Sequence, residues 1–291
     1  LTTNIPENVY TDLTFTTPTT GYATSNGYVI KTTDGGLTWD SIPMPVSSAL
    51  MRVHFPDPMN GYILGGDNHI GYLFKTTDAG ETWTKIDIDA IEVPWGIHFL
   101  DKDNGYITGT RFFKKTTDGG LTWTDVRPGG STSTYYDVKF RNAQEGIASG
   151  LNGDYYRTTN GGVTWDSLSY DRGSRLYYVH YTANRTFLEN AADSLIDIAN
   201  NFSVIKKPNA AHKLLFIDEQ HCIGVGSHYE NQGYWPYGDI FITNTTWKSF
   251  QQKTFATSFA IRFTAIARMS SNKAMILSLG FSGTQVMILE W

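Results

Sequence analysis

Apolar and polar residues alternate along this chain in short runs, the period of strands rather than helices. Leu13-Thr14-Phe15, Val53-His54-Phe55, Ile97-His98-Phe99 and Val138-Lys139-Phe140 each set two apolar residues around a third that faces the other way. After a polar turn comes Gly21-Tyr22, Gly61-Tyr62, Gly105-Tyr106 or Gly146-Ile147, which opens a second run. Two further runs follow, as in Tyr28 to Lys31 with Trp39 to Ile42, or Tyr72 to Lys75 with Trp83 to Ile86. Between them stands a recurring octad: Thr32-Thr33-Asp34-Gly35-Gly36-Leu37-Thr38-Trp39. It returns at Thr76 to Trp83, at Thr116 to Trp123 and at Thr158 to Trp165. Strand-like runs joined by a Gly-bearing polar loop predict a hairpin. Each unit therefore predicts four strands, A to D, in meander order, with the octad joining C to D.

The octad has a physical reading. The Asp side chain accepts hydrogen bonds from the backbone N–H groups just ahead of it. A Gly then takes φ > 0 without a Cβ clash. The first Gly is Ala79 in the second copy, whereas the second is present in all four. The left-handed position is thus predicted at Gly36, Gly80, Gly120 and Gly162. Trp39, Trp83, Trp123 and Trp165 are predicted to be buried pegs between the outer strand and the hairpin, with a partner for each indole N–H. Catalytic or metal-binding roles for Asp34, Asp78 and Asp118 fit less well. Asn160 does the same job without a charge, and acids repeated once per unit stand far apart.

The octad's fixed position falls at 34, 78, 118 and 160, so the units are 44, 40 and 42 residues long. The period persists where the motif decays. Tyr178 to Tyr181 reads as the A strand of a fifth unit, its octad degraded within Ala199 to Ser203. Leu214 to Phe216 and Cys222 to Gly226 open a sixth, which ends at Trp247, 82 residues after Trp165. Phe263 to Ile266, Ala274 to Leu279 and Gln285 to Glu290 supply three strands of a seventh. Residues about 4–10 are free to complete it. The predicted fold is all-β: one domain, 1–291, forming a seven-bladed β-propeller of four-stranded antiparallel blades closed by the N-terminal segment.

Composition narrows the function classes. The net charge of −5 and pI near 5.8 disfavour nucleic acid as partner. No apolar run reaches membrane-spanning length. A single cysteine, Cys222, rules out an intrachain disulfide framework. The first residue is Leu1, which raises the expectation of a removed secretion signal and an extracellular, periplasmic or cell-surface location. No cofactor and no metal are expected, and the chain is expected to act as a monomer.

The T-T-D-G-G-x-T-W turns resemble Asp-box (BNR) repeats. The longer phrase from Gly27 to Gly36 resembles, in particular, the propellers of photosystem II assembly factor-like proteins. The resemblance covers most of residues 11–250. It implies the propeller and says little of activity, because the same turn occurs in sialidases, xyloglucan-active glycosidases, sortilin-like receptors and non-catalytic assembly factors. The Phe-Arg-Ile-Pro phrase of sialidases is missing, and Ala260-Ile261-Arg262-Phe263 is a faint echo at the wrong end. One cysteine cannot supply sortilin-type modules. The non-catalytic group is what the resemblance leaves.

Candidate sites follow from the meander. The B–C and D–A connections share one face and are the longer loops, where binding residues concentrate. The richest runs from His228 to Asp239. Trp95, Tyr135, Tyr155, Arg172, Arg175, His228, Tyr229, Trp235 and Tyr237 are the candidate ligand-binding residues, suited to a protein or glycan partner. A bland alternative is that these aromatics pack the loops on themselves. A glycoside hydrolase is the enzymatic alternative, with Glu230 and Asp239 as its carboxylates, and a purely structural module is the third. His54, His98 and His180 share one position in three A strands; inter-blade hydrogen bonds account for them better than a metal ring.

Overall fold

The computed structural model describes residues 5–6, 8–46, 49–67, 70–86, 88, 92–128, 133–170, 173–192, 194–207, 211–229, 236–243, 250–255, 261–280 and 283–291; the side chains of 67, 212, 227–229, 236–238, 250–255, 261–263, 279–280, 283 and 285 lie outside that description. It is a seven-bladed β-propeller of antiparallel meanders. The first blade pairs β1 (Asp12–Phe15), β2 (Gly21–Thr24), β3 (Tyr28–Thr32) and β4 (Asp40–Pro43) in that order. The second has β5 (Leu50–His54), β6 (Gly61–Asp67), β7 (Ile70–Thr76) and β8 (Thr84–Ile86). The third has β9 (Pro94–Phe99), β10 (Gly105–Gly109), β11 (Phe112–Thr116) and β12 (Thr124–Asp125). The fourth has β13 (Tyr135–Phe140), β14 (Gly146–Gly150), β15 (Asp154–Thr158) and β16 (Asp166–Ser169). The fifth has β17 (Leu176–Tyr181), β18 (Thr186–Asn190), β19 (Ser194–Asp197) and β20 (Ser203–Lys206). The sixth has β21 (Ala211–Phe216), β22 (Cys222–Tyr229), β23 (Pro236–Thr243) and β24 (Phe250–Phe255). The seventh has β25 (Ile261–Ser270), β26 (Lys273–Gly280) and β27 (Gly283–Glu290).

Two compact units divide the chain, one of Leu1–Val53 with Lys207–Trp291, the other of His54–Lys206. In the first, the opening residues meet the last sheet. Asn8 N–H donates to Thr284 Oγ1 at 3.1 Å, and that hydroxyl donates in turn towards Pro6 O. Ile5 and Tyr10 join a core with Ala265, Leu277 and Val286. The segment thus reaches the seventh blade through the Thr284 side chain and apolar packing. Among the described residues that sheet has three strands.

Each intact octad closes in the same way. Thr116 Oγ1 accepts from Gly120 N–H at 2.8 Å and donates to Asp118 Oδ1 at 2.8 Å. Asp118 then accepts from Thr122 N–H at 2.9 Å and from the Thr122 hydroxyl at 2.5 Å. The backbone differs from the sequence expectation in one respect: both Gly positions are left-handed. Gly119 and Gly120 have φ of 71° and 93°, and Ala79 adopts 56° ahead of Gly80 at 77°. A methyl group is tolerated at the first position, so its conversion to Ala does not show that φ is negative there.

The Trp pegs pack edge-on against the Phe at or just past the end of each A strand: Phe15–Trp39, Phe55–Trp83, Phe99–Trp123 and Phe140–Trp165, with centroids 5.8–6.5 Å apart. Trp39 Nε1 donates to Gly36 O, but the buried indole N–H groups of Trp83, Trp123 and Trp165 have no acceptor among the described residues. The partner expected for each indole is therefore absent in three of four, and ring packing holds these side chains instead. The same Phe ring lies over the Gly of the next strand, as Phe99 over Gly105, where a Cβ would come within 2.4 Å.

Successive blades are joined by the motif residues that flank the octad. In the His54–Lys206 unit, Tyr62 Oη donates to Lys102 O and Tyr106 Oη to Gly161 O, both at 2.6 Å. Lys75 and Lys115, just ahead of the octads, donate to Gly119 O and Gly161 O. The recurring Gly-Tyr and Lys-Thr-Thr-Asp phrases are thus inter-blade couplings.

Candidate ligand-binding site

The first strands of neighbouring blades contact one another, β9 with β13 and β13 with β17 in one unit, β25 with β21 and β1 in the other. A strands are therefore the inner strands. Among the described residues five of them carry a β-bulge towards the end that follows the D–A loop, Thr264 being the extra residue on β25. Pro94 pairs with Gly109 and Gly96 with Thr108, which leaves Trp95 as the extra residue. Tyr136 is extra between Tyr135 and Asp137, and Tyr177 between Leu176 and Tyr178. His212 holds the same place on β21, although its side chain is outside the described residues. A bulge re-aims the side chain of its extra residue.

The consequence is a row of partly exposed rings across three blades. Trp95 and Tyr136 have centroids 6.1 Å apart at 58°, and Tyr136 and Tyr177 5.1 Å apart at 73°. Trp95 Nε1 donates to Thr110 Oγ1 at 3.2 Å, which fixes the indole. Gly96 makes the close approach possible, since a Cβ there would sit 2.9 Å from Asp137 Cα on the next blade. Asp137 is spent on the frame: its carboxylate accepts from Val138 N–H at 2.9 Å and from Val179 N–H, one blade on, at 3.1 Å. Arg175 is exposed beside the row, and its hydrogen bond to Tyr177, with the Tyr136 phenol nearby, raises its pKa further. Burial raises the Tyr136 phenol above its ordinary value, so the ring stays neutral.

Of the sequence-predicted residues, Trp95 and Arg175 lie at this row. Tyr135 and Tyr155 do not: they are 0% and 5% exposed and belong to blade cores. The Tyr135 hydroxyl donates to Pro128 O, and Tyr155 packs on Phe202. Tyr135 lies one step from the partly exposed bulge residue Tyr136, whereas Tyr155 and its neighbour Tyr156 are both buried, each in a different core. Asp239 is likewise no loop carboxylate. It lies within β23, paired with Gly226 and Thr254, and is fully buried. His228, Tyr229 and Tyr237 stand on the lengthened β22 and β23, in register His228 to Tyr237 and Tyr229 to Pro236; their side chains are outside the described residues. Arg172, Glu230 and Trp235 lie outside the described residues altogether. Tyr136 and Tyr177, which complete the row, are not among the residues the sequence singles out. The signal available was the doubled aromatics Tyr135-Tyr136 and Tyr177-Tyr178, which interrupt a strict alternation.

The histidines hold frame positions. His54 Nε2 lies 2.9 Å from Phe99 O on the next blade. His98 stacks on Phe140 of the next blade and lies 5.1 Å from the His54 ring. Burial, then His54 and Lys139, holds its pKa well below the ordinary value. His180 pairs with Glu189 of its own blade at 3.0 Å. Among the described residues no group of three or more His, Cys, Asp or Glu is arranged to hold a metal ion.

A family profile described as photosynthesis system II assembly factor YCF48 matches residues 2–94. No curated protein sequence matches the chain. Among solved structures, a YCF48 bound to D1 peptide superposes with a TM-score of 0.74 at 17% identity, over 98% of this chain and 93% of that one. YCF48 from Cyanidioschyzon merolae gives 0.73 at 15%, over 98% and 96%. The GH74 enzyme of Niastella koreensis gives 0.70 at 13%, over 97% of this chain and 54% of its own. The chain is thus a seven-bladed β-propeller that resembles the YCF48 assembly factors in sequence over residues 2–94 and shares its fold both with them and with a GH74 enzyme.

Proposed function

We propose that this protein is a non-enzymatic propeller that binds an extended segment of a partner protein along the bulged row Trp95, Tyr136 and Tyr177. The observation that carries the reading is the row itself, three partly exposed rings delivered by the same bulge on three neighbouring strands. Aromatic rings give large contact area at small entropic cost and recur as anchors of interfaces. Centroid steps of 6.1 and 5.1 Å come near the ~6.6 Å that separates alternate side chains of an extended peptide. The rings stand tilted to one another, which makes clefts for side chains rather than one flat stacking face. Arg175 at the end of the row supplies a cation for an acidic residue. The fold is one that a peptide-bound YCF48 also has, which agrees with a protein partner. Burial of Asp239 removes one of the two carboxylates that hydrolysis would use.

Selection from a random phage-displayed peptide library on the intact protein tests the reading, with a glycan array run in parallel. Enriched peptides should lose about 5- to 30-fold in affinity for Tyr136→Ala or Tyr177→Ala, while the melting temperature holds. Failure to enrich any peptide, or affinities untouched by both variants, rejects it. Signal confined to the glycan array would replace the partner class.

A further inference from the structure

A second site lies between the fourth and fifth blades, where Arg141 and Asp137 still join the neighbours but the Tyr and Lys links to an octad are lost. Register shows what was lost. Tyr106 pairs with Lys115 across the third blade, Ile147 with Arg157 across the fourth, and Phe187 with Asp197 across the fifth. Tyr106 and Lys115 both reach Gly161 O in the octad of the fourth blade. Ile147 is too short to cross, and the fifth blade has no intact octad to receive it. Its turn keeps the backbone: Asn201 and Phe202 are left-handed with φ of 50° and 56°, at the two Gly positions. It lacks the Thr and Trp that follow. Phe202 turns instead onto Tyr170 and Tyr155.

The result is a cleft of about 430 Å³ lined by Ile147, Arg157, Leu168, Tyr181, Ile198 and Glu145 among others. Arg141 at its edge is fully used: it donates to Thr182 O, Ala183 O, Arg185 O and Thr186 Oγ1 and lies over the Tyr181 ring. Arg157 is exposed, and among the described residues its guanidinium makes no hydrogen bond or ion pair. Glu145 at the same rim keeps an anion to the Arg157 side.

We propose that this cleft takes a phenolic side chain with a carboxylate beside it, as a partner protein offers where a tyrosine adjoins an acidic group. The ring would occupy the place that Tyr106 fills one junction earlier, between Ile147 and Ile198, with its hydroxyl near the backbone of the shortened turn. Arg157 would take the carboxylate. The site is separate from the aromatic row and does not depend on it.

N-acetyl-tyrosine, which carries both groups, is the probe, followed by amide chemical shifts of the isotope-labelled protein. N-acetyl-tyrosinamide lacks the charge and N-acetyl-alanine lacks the ring. The expected result is saturable shifts at residues 198–202 with N-acetyl-tyrosine and about tenfold or weaker binding of either control. Ile147→Tyr rebuilds the plug and should abolish binding without lowering the melting temperature. Arg157→Gln, on an exposed side chain, should reduce N-acetyl-tyrosine to the level of its amide. No shifts in the parent protein, or binding that survives Ile147→Tyr, overturns the proposal. If Ile147→Tyr does not fold, an acid-over-amide preference retained in Arg157→Gln overturns it equally.

Discussion

Gly162→Ala tests the coupling between blades most directly. The residue has φ of 70°, and a Cβ built there lies 2.6 Å from Tyr106 Oη and 3.0 Å from two of its ring carbons. The left-handed conformation alone costs an alanine about 1–2 kcal/mol. The clash adds more, because Tyr106 has nowhere to go. It is fully buried, stacked on Phe140 at 4.6 Å and edge-on to Trp165. Displacing its hydroxyl from Gly161 O loses a hydrogen bond worth about 1 kcal/mol, and forcing the ring aside costs about 1 kcal/mol or more. The sum is about 3–4 kcal/mol. Gly35→Ala is the control: its φ is 74°, yet its nearest contacts are 3.6 and 3.7 Å away, so strain alone, about 1–2 kcal/mol, is expected. Urea unfolding followed by tryptophan fluorescence measures both, and hydrogen exchange at residues 158–166 reports the local loss. Tyr106→Phe removes the atom nearest the new methyl, so in that background Gly162→Ala should cost about 1 kcal/mol less. Equal costs at Gly35 and Gly162, or strict additivity with Tyr106→Phe, would refute the reasoning.

Two predictions concern pH. His98 is held neutral by burial, so the unfolded chain binds a proton there below its ordinary pKa of 6.5 and the folded protein does not. Stability should fall as pH drops below that value, with a limiting slope of about 1.4 kcal/mol per pH unit until the folded protein also takes up the proton, and His98→Gln should remove this slope from pH-resolved urea midpoints. Asp118 is held down to about 2, first by the Thr122 hydroxyl and then by the Thr122 N–H. Because its folded pKa is depressed, its contribution is present above the ordinary 3.8 and is lost as pH falls through about 2. Asp118→Asn should leave the neutral-pH melting temperature close to the parent's and flatten that acid loss. Asn160 already accepts from Thr164 N–H at 3.0 Å and donates to its hydroxyl at 2.8 Å.

The sequence by itself determined the repeat. Alternation set the strands, the octads set the C–D turns, and the spacing carried the count of blades through units whose motifs had decayed. These are local signals: Thr116, Asp118 and Thr122 bond within one turn and need no other blade to do it. The binding row was not legible, because a bulge inserts one residue without changing composition and reverses which neighbour faces out. Tyr135 therefore went into the core and Tyr136 to the surface. The roles of Tyr106 and Lys115 were hidden for a related reason, since their acceptor, Gly161 O, lies 55 and 46 residues away. The cleft beside Ile147 exists only as the difference between two junctions. A short side chain becomes a cavity only when tertiary structure has set the neighbouring blade across from it.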